Sequence, residues 1–432
     1  MTPAALFLII IFGFLVLALP RHHALKPLLA GVTLFPVGMV IFVGPLNFYS
    51  MRIFVLIGMV RVLVRREYKG IHINKIDKCM ILWVIVMLIT GAIREKIDTT
   101  FITRLGVVYD NAGIYFLMRF LLQSKTDIYA IIKTLAVVMF VLTLFMLYEK
   151  VNRYNLFHLL GGKFIVPAIR DGRVRCQGPF GHSILAGTVA ATISTWFFVS
   201  FWNKSIDIKY AILGFFSTCM IVFLSASSGP IMSLFFALIA FAFWPLRDNM
   251  KAVRFAILCG IVFLLMTMKA PIWFLISKID LTGSSTGWHR SELIDSAIRH
   301  FNEWWLIGTP ITRHWMPSGV GWSPYQTDIT NQYIRNGVDG GLLGMLLFIF
   351  MISNGYKLIG KSLRKINEED NFLKIILWAI GSSLFSHTAT FFSVAYFDQT
   401  IMYFYLTLAL IGCIEQCDIF GKTGPPRRFS GF

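Results

Sequence analysis

A short basic segment carries the residues of this chain best suited to binding an anion. Residues 150–182 hold six Lys and Arg side chains against a single acid. The segment ends in Arg173-Val-Arg175-Cys-Gln-Gly-Pro-Phe-Gly-His182, where the two arginines alternate as on an extended strand before a Gly-Pro bend. Arginine binds phosphate oxygens in pairs and keeps its charge at any pH. We therefore predict that Arg175 is catalytic and that Arg173 and His182 bind substrate; simple anchoring at a membrane surface is the alternative for Arg175.

A second candidate cation is Arg290, in the sequence Gly287-Trp-His289-Arg290 at the start of an amphipathic stretch. An arginine near a helix N-terminus opposes the helix dipole, and a bound anion would remove that conflict. We predict that Arg290 is catalytic and converges with Arg175 on one site. His289 is predicted to bind substrate, as a base or as a phosphate donor, with a solvated loop histidine as the alternative.

A third group of polar residues lies between Thr327 and Gly344, where a long loop enters an apolar segment. Asp328 is predicted to be a catalytic base, although an aspartate in this place could equally be a helix N-cap. Asn331 and Tyr333 are predicted to bind substrate. Polar groups here, beside arginines supplied from elsewhere in the chain, could form a catalytic pocket.

The composition requires these residues to be carried by a membrane protein. The 432 residues have a mean hydropathy of +0.69 and are only 14% charged, whereas a soluble protein would carry about 25%. We predict an all-α polytopic membrane protein. The net charge of +18 then anchors the cytoplasmic side against anionic headgroups and does not indicate nucleic acid.

Apolar segments of spanning length recur along the whole chain, so that residues 1–432 are predicted to form one integral membrane domain of about 12–13 transmembrane helices. The predicted spans are 4–19, 28–46, 48–64, 80–93, 105–122, 128–148, 183–202, 210–224, 231–244, 253–268, 341–359, 373–391 and 397–413.

Orientation follows from the short basic loops. Four basic clusters, at 61–78, 247–254, 357–365 and 422–428, fall on one side of this arrangement, which the positive-inside rule makes cytoplasmic. The opposite side then carries a basic outer loop, 149–182, and a large outer loop, 269–340, with an amphipathic helix over 291–305. Positive charge on an outer loop departs from the rule, and an anionic ligand such as a lipid-linked pyrophosphate would explain it.

The motifs resemble those of the O-antigen ligase and O-antigen polymerase superfamily over roughly residues 130–350. Three matches occur in the family's order: Arg175-x-x-Gly178-x-Phe180, the arginine Arg290 at the head of the large loop, and Asn331-x-Tyr333-Ile334 followed by Asp339-x-Gly341-Leu342-Leu343-Gly344. The resemblance implies glycosyl transfer outside the bacterial inner (cytoplasmic) membrane, from an undecaprenyl-pyrophosphate-linked glycan.

Two departures from the family pattern affect the expected chemistry. Ligases of the family carry a histidine, the presumed base, where this chain has Thr330, so Asp328 is the expected substitute, with His289 and His314 next. The stretch 224–229 resembles a further family motif but lacks its arginine. The missing histidine favours a polysaccharide polymerase over a ligase.

The resemblance implies a glycan acceptor for a polymerase, or lipid A-core for a ligase, with membrane lipids and a chain-length regulator as further partners. No cofactor and no metal are expected, because no His, Asp or Glu cluster with metal-ligand spacing is seen in the sequence. A lipid-linked glycan flippase or transporter is the main rival. It would place charges inside its helices, where few candidates exist: Asp110, Arg119, Lys133 and Asp398. A non-catalytic scaffold is a third alternative.

Overall fold

The computed structural model describes residues 2–94, 99–201, 207–278, 287–366 and 371–421, and these are almost entirely helical. Within those ranges the helices are α1 (Pro3–Ala18), α2 (Arg21–Leu34), α3 (Ser50–Val64), α4 (Lys75–Arg94), α5 (Thr99–Leu121), α6 (Lys125–Asn152), α7 (Ser183–Phe198), α8 (Ile208–Leu224), α9 (Ser228–Ala242), α10 (Met250–Thr267), α11 (Leu275–Lys278), α12 (Gly287–Arg299), α13 (Phe301–Trp304), α14 (Gln332–Lys365), α15 (Asn371–Thr390) and α16 (Thr400–Gly421). Seven helices in this part of the chain are long and apolar enough to span a membrane, and three more are apolar but shorter. The predicted all-α polytopic class is confirmed.

Each predicted span overlaps a helix, but the second was wrong over its C-terminal half. Helix α2 ends at Leu34, and the chain then forms an antiparallel hairpin of β1 (Val40–Val43) and β2 (Leu46–Tyr49). The apolar run is rich in β-branched residues, and Gly44, at φ +58°, allows the turn between the strands. Hydropathy alone could not separate such a hairpin from a helix.

The helices define two ends of the bundle. At one end, the buried Arg61 donates to the carbonyls of Val16 and Leu19 and pairs with Glu67 at 2.8 Å. The predicted basic cluster 61–78 lies here. We call the opposite end, where the loops 153–182 and 287–331 lie, the outer end.

A bend in α14 shapes the outer end. Gly341 has φ +71° inside this helix, so that the residues before it turn away from the long apolar part that follows. A side chain at Gly341 would collide with the carbonyl of Leu306, which explains the glycine. The start of α14 therefore packs under the large loop.

The large loop has a small apolar core of its own. The predicted amphipathic helix is present as α12 and α13, which are separated at His300. Leu293 and Ala297 of α12 are buried with Trp304 and Trp315, against Val338 of α14. This packing fixes α12, and with it Arg290 in the first turn of that helix.

Candidate active site at the outer end

A small hairpin presents three arginines at the outer end. Strands β3 (Ala168–Arg170) and β4 (Arg173–Arg175) are antiparallel, and Arg170 pairs with Arg173 across them. The turn uses Asp171 and Gly172, both at positive φ, as in the two-residue turns that suit the twist of a hairpin. The prediction that Arg173 and Arg175 lie on an extended segment is confirmed.

The end of β4 is attached to the link between α8 and α9. The Cys176 amide donates to the Leu224 carbonyl at 3.1 Å, and Arg175 Nη2 donates to Ser227 Oγ at 2.6 Å. Ala226 takes a left-handed conformation, with φ +44°, which turns the chain into α9. The stretch 224–229 resembles a family motif but lacks the arginine of that motif. In the structure, Arg175 from the basic outer loop contacts this stretch instead.

A cleft of about 90 Å³ opens between these elements and the start of α12. Arg175 and Arg290, 115 positions apart in sequence (290 − 175), both line it, so the predicted convergence of these two residues is observed. Its lining residues are Arg170, Asp171, Arg173, Arg175, Ile184, Ala226, Ser227, Ser228, Gly229 and Arg290.

The cleft is strongly cationic, since its lining includes four guanidinium groups and one carboxylate. Burial, and then the neighbouring Arg170, lower the pKa of Arg175 below its ordinary value; burial lowers the pKa of Arg290. The Nε atoms of Arg175 and Arg290 are buried without a hydrogen-bond partner among the described residues. Buried donors of this kind are unfavourable until an acceptor arrives, and an anion supplies both charge and acceptors.

The start of α9 adds backbone donors to the same cleft. Ser227 is the N-cap of this helix, but its side chain makes no capping bond and donates instead to the Ser225 carbonyl at 3.0 Å. Pro230 has no N–H, so Ser228 and Gly229 carry first-turn amides that lack a partner within the helix, and both residues line the cleft. An uncapped helix N-terminus is a favourable anion site.

Glu149, at the end of α6, organises the turn behind the cleft, although the sequence analysis missed it. Its buried carboxylate accepts the amides of Gln177, at 3.2 Å, and Gly178, at 2.9 Å. Asn155 donates to the Gly178 carbonyl at 2.8 Å. Gly178 has φ +58°, so the glycine of the Arg-x-x-Gly-x-Phe motif is required by the backbone. The available signal was an acid directly before the basic loop.

Asp398 supports the same turn from the other side. Its Oδ2 accepts the Gly181 amide at 2.8 Å, while Oδ1 accepts from Thr400. Burial raises the pKa of Asp398 to about 6, against the opposing effect of these hydrogen bonds. The sequence analysis placed Asp398 inside a membrane helix, which was wrong, because α16 begins at Thr400.

His182 is the N-cap of α7, and its Nδ1 accepts the Ile184 amide at 3.1 Å. Burial, together with the cation of Arg175, lowers the pKa of His182 to about 4. The ring is therefore neutral near pH 7, and because Nδ1 is an acceptor, Nε2 carries the hydrogen. His182 is thus an N–H donor and not a base; it stands two positions before the cleft-lining Ile184 and does not itself line the cleft.

The third motif, which contains Asn331 and Tyr333, forms the N-terminus of α14. Asn331 is the N-cap: its Oδ1 accepts the amides of Tyr333 and Ile334, and its Nδ2 donates to the Phe392 carbonyl. The N-cap alternative for Asp328 was therefore wrong. The Tyr333 hydroxyl donates to the Thr388 carbonyl at 2.9 Å. Neither Asn331 nor Tyr333 lines the cleft.

Asp328 lies beside the start of α12. Nε2 of His289, the residue before Arg290, bonds to the Asp328 carbonyl oxygen at 3.1 Å, and the Asp328 side chain is exposed. Asp328 and His289 do not line the cleft itself. Thr330 Oγ1, where ligases carry a histidine, is buried without a hydrogen-bond partner in the described part of the chain.

The expectation that no metal-ligand cluster exists in the outer loops was wrong. His300, Glu303 and His314 bring ligand atoms within 4.8 Å of one another. The pair His300-x-x-Glu303 has helical spacing and could have been found in the sequence. His314 joins it only through the path of the loop. None of the three lines the cleft.

Two of the candidate charges inside the helices are paired. Asp110 bonds to Arg52 at 2.8 Å, and Arg119 lies 3.4 Å from Asp77. A flippase would need such charges along a transport cavity. This pairing, and the concentration of cations at the outer end, weaken the flippase alternative.

Comparison with known families gives one match. Residues 212–349 match the family model described as O-Antigen ligase. The matched range contains the start of α9, Arg290 and the third motif, whereas the arginine hairpin lies before it. No curated protein matches the chain.

Proposed function

We propose that this chain, whose residues 212–349 match the O-antigen ligase family model, polymerises undecaprenyl-pyrophosphate-linked oligosaccharide repeat units of a surface polysaccharide. The reaction would take place on the outer face of the bacterial cytoplasmic membrane, without a metal. The observation that carries this proposal is the cleft at the outer end, which is lined by four arginines and by the first two residues of α9.

The cleft is proposed to seat the pyrophosphate of the lipid-linked donor. Transfer breaks the bond between the sugar and the pyrophosphate oxygen, and the electron pair leaves with the pyrophosphate. Arg175 and Arg290 would stabilise this developing charge, which is the role of preorganised donors in acyl and phosphoryl transfer. Arg173 and the His182 N–H would bind the remaining oxygens.

Asp328 is the proposed base for the acceptor hydroxyl. His289 fixes its backbone beside the start of α12, and its exposed carboxylate can meet an acceptor glycan arriving from outside. The other candidate is Asp171, whose carboxylate lies in the cleft lining but 3.7 Å from Arg170. The Asp171 carboxylate is already paired with Arg170 inside the proposed pyrophosphate site, so the proposal favours Asp328.

The acceptor distinguishes the polymerase from the ligase. The absence of a histidine at Thr330 favours a second lipid-linked glycan as acceptor; the family description supports lipid A-core as the alternative. Asn331 and Tyr333 would act by holding the loop around the acceptor, since their side chains are engaged with the backbone.

The test uses purified protein in lipid nanodiscs with a lipid-linked repeat unit, either alone or with lipid A-core. A ladder of lengthened glycans from the repeat unit alone is expected. Transfer only when lipid A-core is present would establish the ligase instead, and no product from either would contradict the glycosyltransferase proposal. Each reaction is repeated with excess EDTA, where activity should remain; complete loss that magnesium or manganese restores would contradict metal independence.

A further inference from the structure

We propose that His300, Glu303 and His314 form a Zn²⁺ site on the outer surface, separate from the cleft. His300 Nδ1 lies 2.7 Å from Glu303 Oε1, and His314 Nε2 lies 2.9 Å from Glu303 Oε2. Two imidazoles and one carboxylate are a frequent protein ligand set for zinc. The inference concerns metal binding and does not depend on the proposed function.

The three side chains are held in place before a metal arrives. The His300 ring stacks on the Trp315 indole, with ring centroids 5.8 Å apart and planes 9° apart. Trp315 is buried, and its indole N–H donates to Glu303 Oε2 at 3.0 Å. Metal ligands commonly have such outer hydrogen bonds, which orient them and raise affinity. These contacts with Trp315 therefore preorganise His300 and Glu303 for metal binding.

The charge around the cluster is compatible with a dication. Glu303 supplies a carboxylate between the two imidazoles and in contact with both. The two adjacent arginines have partners elsewhere: Arg299 pairs with Asp295, and Arg313 donates to the carbonyls of Met316 and Pro317.

Metal binding requires the side chains to adjust. Tetrahedral zinc would hold the ligand atoms about 3.4 Å apart. The two His–Glu contacts must therefore open by about half an ångström, and the widest separation in the cluster, at most 4.8 Å, must close by up to about 1.4 Å. Each imidazole must present a lone pair where it now contacts Glu303, with its hydrogen on the other ring nitrogen. The side chains of His300, Glu303 and His314 are 32%, 31% and 46% exposed, which leaves the fourth position to water. Imidazole ligands favour zinc over magnesium or calcium.

A bound zinc ion would connect two segments of the large loop, the end of α12 and the segment around His314. His300 directly follows α12, the helix that begins near Arg290, and His314 lies 14 positions further along (314 − 300). Ser296 of α12 already bonds to the Trp315 carbonyl at 2.9 Å. Zinc would add a cross-link between the same segments, and thereby stabilise the loop without touching the reacting atoms.

Metal binding is tested on full-length protein without a polyhistidine tag, stripped with chelator and titrated with Zn²⁺ against a chromophoric zinc indicator. His314→Ala and Glu303→Gln should each bind one equivalent less than the wild type. His289→Ala, which removes a half-buried histidine of the same loop outside the cluster, should bind as the wild type does. Trp315→Phe, which removes the indole donor, should weaken binding by about 10-fold or more.

A direct measurement keeps the proposal falsifiable if a variant misfolds. X-ray absorption of zinc-loaded wild-type protein should show only nitrogen and oxygen neighbours near 2.0–2.1 Å, including two imidazoles. Zinc should also raise the melting temperature of the wild type and leave that of His314→Ala unchanged. Sulfur neighbours, equal stoichiometry in all variants, or displacement of zinc by equimolar magnesium would overturn the assignment.

Discussion

Replacing Arg290 should reduce transfer without destabilising the fold. Arg290 lines the cleft and its Nε has no hydrogen-bond partner in the described structure. If it stabilises the leaving pyrophosphate, Arg290→Met should cost about 2–4 kcal/mol of transition-state stabilisation, by analogy with the loss of one oxyanion donor. That corresponds to a rate lower by about 30-fold to 10³-fold. Arg290→Lys should recover only part of it, because an ammonium lacks the planar fork.

Unlike the transfer rate, the stability of the Arg290→Met variant should not fall. A half-buried guanidinium whose Nε has no hydrogen-bond partner in the described structure adds little to stability, so Met, which keeps the apolar stem, should leave the melting temperature unchanged or higher. Arg61 at the other end is the matched control. It is buried and paired with Glu67, so Arg61→Met should lower the melting temperature, since it leaves a partly buried carboxylate unpaired.

The assay follows the turnover of lipid-linked repeat unit by purified variants, with thermal unfolding measured on the same samples. Activity of Arg290→Met within about threefold of the wild type would refute the role given to Arg290. A loss of activity that merely follows a loss of folded protein would refute the stability argument.

Three further predictions follow from individual contacts. Asp328→Asn should reduce turnover strongly in a stably folded protein, whereas Asp171→Asn should reduce it less; near-normal turnover of the Asp328 variant would eliminate that residue as the base. Gly229→Ala should raise the KM for donor several-fold with little change in melting temperature, because the new Cβ would lie 3.7 Å from Ile184 and within the cleft; an unchanged KM would show that the α9 start does not meet the donor. His182, with its pKa lowered to about 4, is protonated more readily in the unfolded chain, so stability should fall as the pH drops from about 6.5 to 4. His182→Gln should lessen that slope, measured by chemical denaturation, and an identical slope would contradict the lowered pKa.

Local sequence patterns predicted most of the helices. They did not predict the features that depend on packing between segments distant in sequence. Spanning helices follow from apolar length, which is a local property, whereas the hairpin at Val40–Tyr49 interrupts an equally apolar run. Asn331 and Asp328 are both good capping residues three positions apart, and only the position at which α14 begins selects Asn331. That position depends on contacts with the loop after α15, which no local pattern reveals.

At the candidate site, too, the sequence predicted individual residues but not the tertiary contacts between them. The family motifs pointed to Arg175 and Arg290, but the contacts that bring them together are tertiary. The Cys176 amide reaches Leu224, and Glu149 holds Gly178 from the end of a membrane helix. These are single hydrogen bonds between distant segments, and residue type alone does not predict them.

A cryo-EM structure with undecaprenyl pyrophosphate bound tests the pyrophosphate site most directly. Phosphate density is expected in the cleft, within hydrogen-bond distance of Arg175, Arg290 and the Ser228 and Gly229 amides, with the lipid tail leading into the membrane. Phosphate density at another place, with the cleft empty, would show that the cleft does not bind the donor.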